Sequence, residues 1–166
     1  MKIGTVSISR SAGEHYLKVS GNASFACAAP VRDLLKALET ESLTKIVIDL
    51  EQCEWMDSTF MGLIAMLALT GRKKNAPTEI FNASEQNTKL LKGLGLQRVL
   101  EFKTGVVQPG HIVTANSDAV LSRAENAQTV LDAHKTLMEV DKENVKRFET
   151  VVKFVQKDID QLKKEE

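Results

Sequence analysis

Cysteine, proline, aromatic residues and charge imbalance are all in short supply in this chain, and each scarcity excludes something. Its two cysteines, Cys27 and Cys53, lie far apart and outside any CxxC or Cys/His spacing, so neither a disulfide framework nor a zinc site is expected. His15, His111 and His134 are dispersed, without carboxylate or cysteine neighbours at ligand spacing, and no metal or other cofactor is expected. Lysine and arginine number 22 and aspartate and glutamate 22, so the strongly basic face of a nucleic-acid binder is missing. The longest apolar run, Phe60 to Leu69, is too short to span a bilayer. The first residues, Met1-Lys2-Ile3-Gly4, lack the apolar stretch of a secretory signal. A soluble, cytoplasmic protein with no membrane contact is expected. No GxSxG elbow, GxxxxGK[ST] loop or GxGxxG fingerprint occurs, and no acid–base or nucleophile constellation emerges, which argues against an enzyme.

What is present divides the 166 residues in two. All nine glycines and all three prolines lie at or before Gly110. From residue 116 onwards there are nine basic and eleven acidic side chains and no helix breaker. Residues 1–110 therefore read as an α/β module and residues 111–166 as a helical extension, joined near Gln108-Pro109-Gly110. In the module, Ile3/Val6/Ile8 and His15–Val19 suggest a hairpin around Ser11-Ala12-Gly13. Gly21–Ser24 reads as a loop in which Asn22 or Ser24 caps a helix carrying Pro30 in its first turn and Leu34, Leu35 and Leu38 on one face. Lys45–Leu50 is a β-branched run typical of a strand buried on both faces. Thr78–Phe81 and Val99–Phe102 suggest further strands, with helices at Thr59–Arg72 and Glu85–Leu94. Strands alternating with helices imply a mixed sheet, in the order β-β-α-β-α-β-α-β.

The extension has a heptad pattern. Ala124, Leu131, Met138, Val145, Val152 and Ile159 form one series. Val120, Ala127, His134, Asp141, Phe148, Val155 and Leu162 form the other. The pattern is clean from Val145 onwards, and Asp141-Lys142-Glu143-Asn144 can start a new helix. Two helices, about 117–139 and 142–164, are expected as a hairpin or coiled coil. Such a stripe needs cover, because an isolated amphipathic helix is marginal in water. The cover is the module, the other tail helix or a second chain. The Val145–Leu162 stripe points to a homodimer through the C-terminal helices.

The most informative stretch is Cys53-Glu54-Trp55-Met56-Asp57-Ser58-Thr59-Phe60-Met61-Gly62, directly after the buried strand. Asp57-Ser58-Thr59 precedes a run of apolar residues, so Ser58 lies at or beside a helix N-terminus, among unpaired N–H groups and the positive end of the helix dipole. A phosphoryl group there adds about −1.5 to −2 charges. The helix would tolerate that charge while a docked partner would not. The plainer reading is that these residues only cap the helix.

Residues 1–103 resemble a STAS domain of the anti-sigma factor antagonist family. Ile46–Leu50 followed by Met56-Asp57-Ser58-Thr59 is similar to that family's strand and phosphorylation motif, and Gly21–Ser24 to its glycine-containing β–α loop. Leu90, Leu91, Leu94 and Leu96 resemble its third helix and the turn into the last strand. The resemblance implies that Ser58 is phosphorylated by an anti-sigma kinase of the histidine-kinase-like ATPase fold, and that a PP2C-type phosphatase reverses this. The unphosphorylated form would bind the kinase in a bacterial partner-switching pathway that regulates transcription. Around Ser58, the resemblance puts Asp57, Asn22, Ser24 and Phe25 in the partner-binding surface, and the motif adds Thr59, Phe60 and Met61. Trp55, on the loop before the motif, is either a further partner anchor or a cover for the end of the sheet. Two positions depart from the family: Phe60 stands where glycine is common, and Ser24 where an acidic residue is common. The competing reading is a constitutive STAS scaffold subunit, for example in a transporter-associated assembly, with Ser58 only a cap.

Overall fold

The structure, a computed structural model, describes residues 3–108, 111–114 by their backbone, and 121–166. Among the described residues there are six strands, β1 (Thr5–Ser11), β2 (Glu14–Ala23), β3 (Lys45–Met56), β4 (Thr78–Phe81), β5 (Glu101–Lys103) and β6 (His111–Thr114). The five helices are α1 (Ala29–Ala37), α2 (Ser58–Lys73), α3 (Glu85–Gly93), α4 (Arg123–Val140) and α5 (Glu143–Lys164). The strands form one mixed sheet in the order β5-β4-β3-β2-β1-β6. β1 pairs antiparallel with β2 and β6, while β2-β3, β3-β4 and β4-β5 are parallel. The α/β class and the element order of the module thus match the sequence reading.

The expected hairpin forms around Ala12 and Gly13, both with positive φ. Ile46, Ile48 and Leu50 of β3 are completely buried and Val47 nearly so, as a strand covered on both faces requires. Three features differ from expectation. First, the Gly21–Ser24 stretch is mostly strand. β2 continues to Ala23, and its ladder with β3 shifts register between Gly21 and Asn22, where Gly21 takes φ 74°. A side chain would be strained at that bulge, which turns the strand end towards the site described below. Second, Ser24 caps a short 3-10 turn, Phe25–Cys27, rather than α1, whose start at Ala28 has no side-chain cap. Third, the segment after 110 is not helical from its beginning. His111–Thr114 pairs with β1 on the far side of the sheet from β5. The Pro109-Gly110 joint and heptad position Val120 lie outside the described residues.

The first tail helix begins later than expected, at Arg123. Ser122 caps it, with its hydroxyl accepting from the Glu125 N–H while Glu125 accepts from the Ser122 N–H. At the other end, the Asp141 carboxylate accepts from the Glu143 N–H and starts α5. The two helices form the expected hairpin, and it folds back so that α2 lies between the sheet and α4. Asn144 fastens the bend: its Nδ2 donates to the carbonyls of Leu94 (2.9 Å) and Leu137 (2.7 Å), and its Oδ1 accepts from Arg147 (2.9 Å). The heptad stripe of α5 is covered by α4 of the same chain, with Ile159 buried and Val145, Phe148, Val152, Val155 and Leu162 half-buried. The reason for expecting a dimer there is therefore met within the chain.

Candidate functional site

Four chain segments converge at the start of α2: the end of β2, the Phe25–Cys27 turn, the end of β3 and α2 itself. Asp57 joins them. Its backbone N–H donates to Ala23 O (2.9 Å), its Oδ1 accepts from the Phe60 N–H (2.8 Å) and its Oδ2 accepts from the Phe25 N–H (3.4 Å). A single carboxylate thus satisfies an orphan donor of α2 and ties the β2–α1 corner to it. Asp57 has an extended backbone and Ser58 is the first residue of the helix.

The exposed aromatic side chains around this point are Phe25 (48% exposed) and Trp55 (44% exposed), with Asn22, Ser24 and Asp57 half-buried near them. Asn22 and Trp55 are register partners on β2 and β3, and Ile3 bridges to Asn22 on the other side. These five predicted residues form one surface. Thr59, Phe60 and Met61 do not belong to it, which corrects their assignment to partner binding. Each is buried, Phe60 to 1% exposure, because α2 packs against the sheet on one side and α4 on the other. Phe60 fills core space where a glycine would leave a hole.

The hydroxyl of Ser58 is not simply presented to solvent. Ser58 is half-buried, and its Oγ lies 2.9 Å from Nε2 of His134 on α4. The other ring nitrogen of His134, Nδ1, lies 2.7 Å from the Val130 carbonyl, which can only accept. In the neutral ring Nδ1 therefore carries the proton, and Nε2 accepts from the Ser58 hydroxyl. The ring is 4% exposed and stands edge-on to Phe148 of α5 at 4.9 Å. One turn along α2 the helices touch: a Cβ on Gly62 would meet the Ala133 carbonyl oxygen at 2.5 Å and the Ala133 Cβ at 2.6 Å. Glycine there permits the close crossing that brings His134 over Ser58.

The two thiols lie beneath this surface and are buried. Burial pushes Cys27 above the usual thiol range and Cys53 up to about 11, so neither is an ionised nucleophile at neutral pH. Among the described residues no group of three His, Cys, Asp or Glu side chains is placed to hold a metal ion, and no helix is long and apolar enough to cross a membrane. Sequence reasoning placed His134 on the tail stripe without its partner. The available signal was a buried-face histidine needing a hydrogen-bond partner, together with an α2 that carries no charge from Ser58 to Gly71.

Residues 6–103 match the family model described as "Mlab, STAS domain", so the chain belongs to the STAS-domain family. None of the curated proteins matches the chain. Among solved structures, the anti-sigma factor antagonist SpoIIAA in its unphosphorylated form shares the fold at a TM-score of 0.53 and 16% identity, over 61% of this chain and 89% of that one. A STAS-domain antisigma-factor antagonist from Rhodobacter sphaeroides is 26% identical over 50% of this chain and 94% of its own, at a TM-score of 0.38. SLC26A9 aligns at a TM-score of 0.45 and 9% identity, over 58% of this chain and 21% of its own length.

Proposed function

We propose that this protein is a non-catalytic binding module of the anti-sigma factor antagonist kind, whose contact with an anti-sigma kinase of the histidine-kinase-like ATPase fold is set by phosphate on Ser58. A PP2C-type phosphatase resets it, and the output is transcription through a released sigma factor. The observation that carries this reading is the position of Ser58. It opens α2 directly beside the Asp57 clamp and borders the exposed pair Phe25 and Trp55. A dianion there meets the N–H ends of the helix, which favour it, so the fold persists. The same charge beside the carboxylate of Asp57 repels an acidic or apolar partner surface at short range. The family membership and the SpoIIAA-like fold support the reading.

The test is incubation with the cognate kinase and ATP followed by peptide mass spectrometry. Phosphate is expected on Ser58, and phosphate found only elsewhere refutes the assignment. In binding assays Ser58→Asp is expected to weaken kinase binding by roughly tenfold or more while Ser58→Ala retains it.

A constitutive scaffold is the second reading, and the hydrogen bond from Ser58 to His134 favours it, because a hydroxyl committed within the chain is what a purely structural serine shows. Equal affinities for Ser58→Ala and Ser58→Asp would select it.

A further inference from the structure

Ser58 lies on a border. On one side is the open surface of Phe25 and Trp55; on the other is α4, which covers the outer face of α2. The hydrogen bond to His134 crosses that border. We propose that Ser58 and His134 form a latch that holds the α4–α5 hairpin over α2, so that a group added to Ser58 unseats the hairpin and uncovers a second, helical face. The proposal rests on the reading of Ser58 as the modified residue and adds a consequence to it: the switch changes shape as well as charge.

The chemistry is specific. When a kinase transfers the terminal phosphoryl group of ATP, an O–P bond forms at Oγ, the bond between that phosphorus and the bridging oxygen of ADP breaks, and the hydroxyl proton passes through the kinase to solvent. The ester oxygen has no hydrogen to donate. Nε2 of neutral His134 has none either, because its proton is held on Nδ1 by the Val130 carbonyl. Two lone pairs then face each other across 2.9 Å, in a place where the ring is almost wholly enclosed. Rotating the phosphate out to solvent leaves Nε2 buried without a donor. Protonating the ring requires a buried imidazolium packed against Phe148. Both outcomes weaken the seat of α4; an ion pair between the ring and the phosphate would instead hold α4 closed, and the exchange experiment below reads that as unchanged protection.

The neighbouring contacts do not absorb the change. Gly62 and Ala133 already meet at backbone distance, so the helices cannot slide closer to compensate. The hairpin is fastened at its bend by Asn144, 10 residues beyond His134, while at the other end of α4 its polar contacts with α1 are long and partly exposed, from Arg32 Nη1 to the Glu125 carbonyl (3.4 Å) and carboxylate (3.5 Å). Release therefore starts at the Arg123 end of α4 and pivots about Asn144. By linkage, the closed hairpin also disfavours the modified form of Ser58 at equilibrium.

Hydrogen exchange of the full-length protein tests this, with the amides of β3 and β4 as the internal reference. Ser58→Asp and His134→Ala break the latch from opposite sides. In both, exchange in α4 is expected to rise by roughly tenfold or more while the sheet stays as protected as in the wild type. Unchanged protection of α4 in Ser58→Asp overturns the proposal whatever His134→Ala does, and so does opening of α4 only together with the sheet, since the hairpin would then be an inseparable part of the core. The partner-binding assay separates this from the parent reading. Lost kinase binding with a protected α4 removes the latch and leaves the switch. An opened α4 with unchanged kinase affinity keeps the latch and removes the switch.

Discussion

At the scale of single residues, the site divides into side chains that hold the fold and side chains available to a partner, and the division is testable. Phe60 and Trp55 are five positions apart, and both are candidates for contact on sequence grounds. Only Trp55 is accessible. Phe60→Ala is expected to cost about 3–5 kcal/mol of stability in urea unfolding, the usual penalty for emptying a buried aromatic position. Trp55→Ala is expected to leave stability within about 0.5 kcal/mol and to weaken partner binding. A Phe60→Ala protein of wild-type stability would show that the ring is not in the core. Asp57 could be recognised as a cap, and Ser58 as a hydroxyl at the start of the helix, from their order along the chain. The hydrogen bond to His134 could not, because its two ends are separated by 76 positions and meet only after α4 has docked.

At the scale of elements, periodicity revealed most of the module. The β-branched run became β3, and the apolar stretch after Asp57 became α2 within one residue at each end. The missed element, β6, has four residues and exists only because β1 offers an open ladder, so nothing local announces it. The docking of the hairpin was partly visible. A helix without charge from Ser58 to Gly71 must be covered on both faces, and the tail carries a long apolar stripe in need of cover. The bend between α4 and α5 depends on Asn144, which satisfies carbonyls of two different elements. Asn144→Ala is expected to cost about 2–3 kcal/mol, because two buried acceptors lose their donor. Chemical denaturation measures this, and a change below about 0.5 kcal/mol would mean that water takes over the contacts.

At the scale of the molecule, the apolar stripe of α5 is used within one chain, and Phe154 is the large apolar side chain most exposed on that helix. Sedimentation of the full-length protein is therefore expected to give a monomer at micromolar concentration, with Phe154→Lys unchanged. A dimer dispersed by Phe154→Lys would show that the outer face of α5 pairs with another copy. The part of the chain that matches the family ends at residue 103, yet the sheet does not end there. Between Lys103 and His111 the chain passes from one edge of the sheet to the other, and within its described part Val106, Val107 and Gln108 line a cleft with Tyr16, Val47, Glu79 and Phe81. A fragment cut at the family boundary would strip β1 of its neighbour and leave a bare row of N–H and C=O groups along its flank. Such a rim recruits strands from other molecules. The protective role of β6 thus makes the shortest piece that resembles the family a poor reagent, prone to stick to itself for reasons unrelated to what the intact protein binds.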